Sequence, residues 1–138
     1  MSQESGRLVQ VNGVALQVID EGRGMPLLML HGFTGTAASW DEIAAALTPG
    51  RRVVRVDLLG HGRSSCPRDP ARYSLALAAQ DLLAVMDALE IGEFGVVGYS
   101  LGGRVALHLA LHAPERVRAL VLESASFGIA DPGERASR

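Results

Sequence analysis

The segment VVGYSLGG, Val96 to Gly103, sets Ser100 between glycines two positions to either side. It joins a strand-like apolar run to a helix-like run. A serine on such a junction can sit on a sharp turn with a strained backbone, its hydroxyl raised above the sheet as a nucleophile. Small residues are then required at 98 and 102, because the turn brings those two backbones together. The N–H of Leu101 would open the helix and point at a developing oxyanion. A second donor must come from the loop after an earlier strand, where LHGFTG offers the N–H of Phe33.

The same residues nearly make a dinucleotide-binding turn. That motif needs glycine at 98, 100 and 103, and the chain has Gly98, Ser100 and Gly103, with Glu123 where a ribose-binding acid would fall. The middle glycine exists so that backbone can approach a pyrophosphate, and the Ser100 side chain would occupy that space. Such a turn also usually opens the first βαβ unit, whereas about four strands precede this one. The nucleophile reading uses every residue.

The surrounding pattern supplies elements to hold the turn. Leu8–Val11 and Val14–Ile19 read as strands joined at Asn12-Gly13, a hairpin signal. Pro26–Leu30, Arg52–Leu58, Phe94–Tyr99 and Val117–Leu122 read as further strands. Ser39-Trp40-Asp41-Glu42 has capping-box spacing for a short helix ending near Thr48-Pro49-Gly50. Ser74 caps a second helix, with Leu75, Ala79, Leu82, Met86 and Leu89 on one stripe and Gly92 as its stop. Leu101–Ala113 forms a third. Alternating strands and helices after a hairpin predict an α/β fold, a mostly parallel sheet with helices on both faces. The loops HGFTG, DLLGHGRS and GYSLGG all follow strand ends, so they should converge on one crevice.

Composition narrows the partners. A net charge of -2 without a basic block argues against nucleic acid and anionic membranes. The polar start, MSQESGRLVQVNG, has no apolar signal core, and no apolar run is long enough to span a bilayer; a cytoplasmic protein is the reading. The single cysteine, Cys66, cannot form an internal disulfide and reads as a free structural thiol. His108 and His112 have metal-ligand spacing but no glutamate between them and no evident third ligand, so no metal is expected. His61 reads as a loop-ordering hydrogen bonder and Asp57 as structural.

LHGFTG, DLLGHGRS and VVGYSLGG, in that order, resemble the α/β-hydrolase superfamily over essentially the whole chain. LHGFTGTAASW, GYSLGGRVAL and LVLESASFGIADPGERASR are similar to one branch, the 2-succinyl-6-hydroxy-2,4-cyclohexadiene-1-carboxylate synthases of menaquinone biosynthesis, although Phe127 stands where that branch often has proline. The resemblance implies a lyase that eliminates pyruvate from a carboxylated enolpyruvyl-cyclohexene, with no cofactor. It implies Ser100 as the triad serine, Phe33 and Leu101 as oxyanion donors, and Tyr99, Arg104 and Arg138 as substrate contacts. His31 would orient the oxyanion loop beside the substrate. Guanidinium forks suit carboxylates independently of any resemblance.

A serine hydroxyl needs a histidine to take its proton and a carboxylate to orient that histidine. In this superfamily both follow the serine in sequence. After Ser100 the chain offers Asp131 and Glu134, but its only histidines are the helical pair. Residues 1–138 are therefore expected to be the N-terminal part of a single domain, reaching the sixth strand, without cap, later strands or the rest of the triad. An esterase of the same superfamily and a non-catalytic α/β module remain alternatives. VRALVLE is expected to form an apolar sheet edge.

Overall fold

The computed structural model describes residues 6–125. Strands β1 (Gly6–Val11), β2 (Val14–Gly22), β3 (Met25–Leu30), β4 (Arg51–Val56), β5 (Phe94–Tyr99) and β6 (Val117–Glu123) form one sheet in the order β1-β2-β4-β3-β5-β6. The hairpin β1–β2 is antiparallel and β2 meets β4 antiparallel; β4, β3, β5 and β6 run parallel. At the hairpin both Asn12 and Gly13 take positive φ (48° and 82°), the backbone that lets a two-residue loop match the strand twist.

Helices α1 (Asp41–Leu47), α2 (Leu75–Ala88) and α3 (Leu101–His112) cover both faces of the sheet. Period-2 alternation decides which strand residue meets which helix. Leu28, Leu30, Val54, Val56 and Val96 pack with Leu82, Met86, Val105 and Leu109 from α2 and α3. Met29 and Val53 pack on the opposite face with Trp40 and Ala44 at α1. The central strands are apolar throughout because both their faces are covered. Among the described residues, β6 pairs only with β5, and Val121 is exposed on that edge. No helix of the described residues is long and apolar enough to cross a membrane.

Two helix ends differ from the sequence expectation. The capping box lies one turn before Ser39-Trp40-Asp41-Glu42. Thr36, in extended backbone, accepts from Ala38 N (3.2 Å), and its own N–H donates to Ser39 Oγ (3.1 Å) at the head of a 3₁₀ turn over Ala37–Trp40. Ser39 is inside that turn and so cannot itself be a cap; α1 begins at Asp41 with no side-chain cap bond. Ser74 does cap α2, accepting from Leu77 N at 3.1 Å.

Gly92 is not the residue that stops α2. Glu90 takes the left-handed conformation (φ 60°), its N–H donating to Asp87 O (3.0 Å) while Ile91 N donates to Met86 O (2.9 Å). This pair of bonds satisfies the last carbonyls and drops Ile91 into the core, 4% exposed. Core burial of Ile91 sets the stop two residues earlier than glycine preference alone would.

Glu90→Gly removes the β-carbon penalty of that conformation. The variant is expected to gain about 0.5–1 kcal/mol in a urea melt, whereas Gly92→Ala should change the midpoint little.

Candidate active site

The turn after β5 is built on backbone contact. Ser100 has φ 53° and ψ -112°, outside the regions open to an unstrained serine, a conformation costing roughly 1–3 kcal/mol. Its N–H donates to Glu123 O (2.9 Å), and its carbonyl accepts from Gly103 N (2.9 Å) and Arg104 N (3.1 Å), which starts α3. A β-carbon at position 98 would lie 2.6 Å from Gly103 Cα. One at position 102 would lie 2.6 Å from the Leu30 carbonyl carbon and 2.5 Å from His31 O. Only glycine fits at either place, so the head of α3 rests directly on the end of β3.

Ser100 is half-buried and lines a crevice of about 530 Å³ with Phe33, Thr34, Trp40, Tyr99 and Glu123. Among the described residues, neither Phe33 N nor Leu101 N donates a hydrogen bond. Leu101 N lies in the first turn of α3, where backbone donors have no partner within the helix. Both amides are uncommitted, and both belong to residues at the Ser100 end of the sheet.

Buried polar groups hold the Phe33 loop. His31 is 1% exposed; its Nε2 accepts from Leu58 N (3.0 Å) and its Nδ1 faces Gly32 O (2.6 Å). Those partners require the neutral tautomer with hydrogen on Nδ1, and burial holds the imidazole below its ordinary value of 6.5. His31 lines the crevice as a candidate substrate contact, but both its ring nitrogens are engaged by backbone, an arrangement that suits orienting the loop. His61 packs between His31 and Phe33, with Nδ1 facing Leu59 O at 3.0 Å and Nε2 facing Phe33 O. Asp57, 4% exposed, accepts from Ala37 N (2.7 Å) and Arg63 N (3.0 Å), and is structural as read.

The remaining expected site residues separate. Tyr99, 44% exposed, lines the crevice and packs over Gly32. Arg104 is exposed on the first turn of α3 and does not line the crevice; it makes no side-chain hydrogen bond or ion pair among the described residues. Arg138 and Phe127 lie outside the described residues. Glu123, which the sequence offered only to a nucleotide, instead lines the crevice. Its position at the end of the strand next to β5 is the signal that could have found it.

A second, mostly apolar cavity of about 350 Å³ lies on the other side of Phe33, lined by Leu58, His61, Tyr73, Leu101 and Val105. Cys66 is free and exposed, 3.6 Å from the Tyr73 hydroxyl. His112 faces His108 O through Nδ1 (3.0 Å), with the two rings stacked. Among the described residues no group of three or more His, Cys, Asp or Glu is arranged to hold a metal.

This nucleophile-type turn on a β1-β2-β4-β3-β5-β6 sheet agrees with the comparisons to known proteins. Residues 25–137 match the alpha/beta hydrolase fold family, and the chain belongs to it. It is 41% identical over 129 residues to a Bacillus subtilis (strain 168) protein named "Putative 2-succinyl-6-hydroxy-2,4-cyclohexadiene-1-carboxylate synthase", covering 92% of this chain and 47% of that one. It is also 41% identical over 135 residues to 2-hydroxymuconate semialdehyde hydrolase of Pseudomonas sp. (strain CF600), covering 95% and 47%. The crystal structure of an epoxide hydrolase from Vigna radiata superposes with a TM-score of 0.90 at 32% identity, covering 99% of this chain and 47% of that one. The chain spans about half the length of these relatives.

Two outcomes test the geometry. Gly102→Ala forces the β-carbon into the end of β3, and is expected to cost about 3 kcal/mol or more in a denaturant melt. His31 has a folded-state pKa below its unfolded value, so its contribution to stability is complete above about pH 6.5 and declines as pH falls through it. Replacing it by Asn is expected to flatten the dependence of the urea midpoint between about pH 7.5 and 5.

Proposed function

We propose that this chain supplies the serine, the oxyanion donors and part of the binding wall of a 2-succinyl-6-hydroxy-2,4-cyclohexadiene-1-carboxylate synthase-type lyase. The reaction removes pyruvate from 2-succinyl-5-enolpyruvyl-6-hydroxy-3-cyclohexene-1-carboxylate. The observation that carries the reading is Ser100 itself, in strained backbone and lining a crevice with Phe33, while the amides of Phe33 and of the adjacent Leu101 have no other partner among the described residues. The 41% identity to the Bacillus subtilis protein supports this choice of reaction.

Ser100 helps remove a ring proton, and the Phe33 and Leu101 amides take up the charge that develops on the substrate oxygen. Preorganised donors of this kind are each worth about 3–4 kcal/mol in a water-poor site. Tyr99 forms a wall of the site. Arg104, cationic and without a partner among the described residues, attracts substrate carboxylates, and Arg138 is proposed to bind another. Residues 1–138 then form the N-terminal part of a single domain. A carboxylate and a histidine from further sequence complete the triad, a reading supported by relatives twice as long. It entails a small carboxylated substrate, no cofactor and a cytoplasmic location.

A second reading, hydrolysis by the same serine, is favoured by two observations. The chain is equally identical to a semialdehyde hydrolase, and among the described residues no arginine or lysine lines the crevice.

The two readings separate when the protein, expressed with its whole reading frame, is offered the cyclohexene substrate and simple aryl esters. The lyase reading expects pyruvate release to exceed ester cleavage, and Ser100→Ala to lower it by roughly 10⁴-fold or more. Arg104→Ala should lower kcat/KM for the carboxylated substrate by about tenfold or more while sparing the esters. Fast ester cleavage without pyruvate would transfer the assignment to the hydrolase; equal losses on both substrates would remove Arg104 from binding.

A further inference from the structure

Among the described residues lining the crevice, burial lowers the pKa of His31, the one histidine there, and Glu123 is the only Asp, Glu, Lys or Arg. Its placement follows from the alternation of β6. Leu120 and Leu122 pack toward α2 and α3, so Val121 and Glu123 emerge on the opposite face. That is the face where Trp40 and Ile43 form the crevice wall, and Tyr99 is the register partner of Glu123. The Glu123 residue is exposed, and its carbonyl accepts the Ser100 N–H at 2.9 Å. Ser124 follows with φ 57°, a second non-glycine residue in left-handed backbone at the same end of the sheet. The chain therefore bends away immediately after Glu123 and leaves its side chain on the rim.

An ionised carboxylate accepts hydrogen bonds and donates none. Beside an exposed tyrosine ring, it also suits a cation, which the ring face attracts as well. We propose that Glu123 is a specificity-determining residue that accepts a hydrogen bond from a hydroxyl or ammonium group of the ligand and turns carboxylates away from this wall. The inference rests on the crevice being the substrate site, as proposed above. It adds an orientation: a substrate bearing one hydroxyl and several carboxylates enters with the hydroxyl toward β6 and its anionic arms elsewhere. Like charges about 5 Å apart in a half-solvated crevice repel enough to separate affinities by roughly tenfold or more.

The test uses the protein expressed with its whole reading frame, labelled with ¹⁵N and titrated with benzylamine, benzyl alcohol and benzoate, three probes of one shape and different charge. Dissociation constants are read from the Phe33, Tyr99 and Leu101 amide signals. Benzylamine is expected to bind about tenfold more tightly than benzoate, with benzyl alcohol between. Glu123→Gln should bring the three within about twofold, and roughly 1 M NaCl should do so without any substitution, because screening then acts over about 3 Å. Equal binding of benzoate and benzylamine, a preference that survives Glu123→Gln, or no response at the crevice amides to any probe would each overturn the proposal. Ser100→Ala is expected to leave the preference intact. A protein that fails as a serine enzyme but keeps the preference would defeat the functional reading and not this one.

Discussion

The contact on which the site depends is between main chains. The first turn of α3 lies on the end of β3 so closely that no side chain can come between them, and Gly102 is the residue that permits it. That single approach sets Ser100, which follows β5, beside Phe33, which follows β3. The Phe33 and Leu101 amides thus follow the ends of neighbouring parallel strands, and their separation is set by backbone packing. A geometry held this way does not relax when surface residues change, which is what a preorganised donor pair needs.

The loops around that contact are held in part by buried polar groups. His31 joins the β3 loop to Leu58 after β4. Asp57 binds Ala37 and Arg63 with its two oxygens. Ser64 donates to Asp57 O at 2.5 Å and accepts from Gln17 N at 2.9 Å, tying the same loop to β2. On the α1 side, Arg55 is 4% exposed and reaches Ala37 O, Asp41 and Glu21. Loss of one partner would strand a buried polar group, so these side chains specify one loop arrangement more than they add stability.

Relatives named as a synthase, a semialdehyde hydrolase and an epoxide hydrolase share this framework, so reaction class must be decided by the walls of the crevice and not by the sheet. Here Phe33 separates two spaces of different character. One is the polar crevice with Ser100, Tyr99 and Glu123; the other is the apolar cavity floored by Leu101 and Val105. Arg104 stands outside both, which makes any attraction of carboxylates by it an effect at the rim.

Much of this was legible in residue order. Strand and helix periodicity, the Asn12-Gly13 hairpin, the Ser74 cap and the glycine spacing around Ser100 are local signals, each governed by the conformational limits of a few adjacent residues. The same locality explains the misses. Ser39 has capping chemistry, but Thr36 occupies the extended backbone that a cap requires. Gly92 has the conformational freedom of a helix stop, but burial of Ile91 placed that stop at Glu90. His31 carries binding chemistry, yet its Nδ1 faces the carbonyl of adjacent Gly32 and its Nε2 was claimed by the Leu58 amide from a distant segment. Glu123 became a crevice residue only through the register of β6 against β5. The sequence by itself determined the α/β pattern and the serine turn, because steric rules act within a few residues. Tertiary structure alone decided which polar side chains line the crevice and which bind backbone, because strands and loops far apart in the chain meet there.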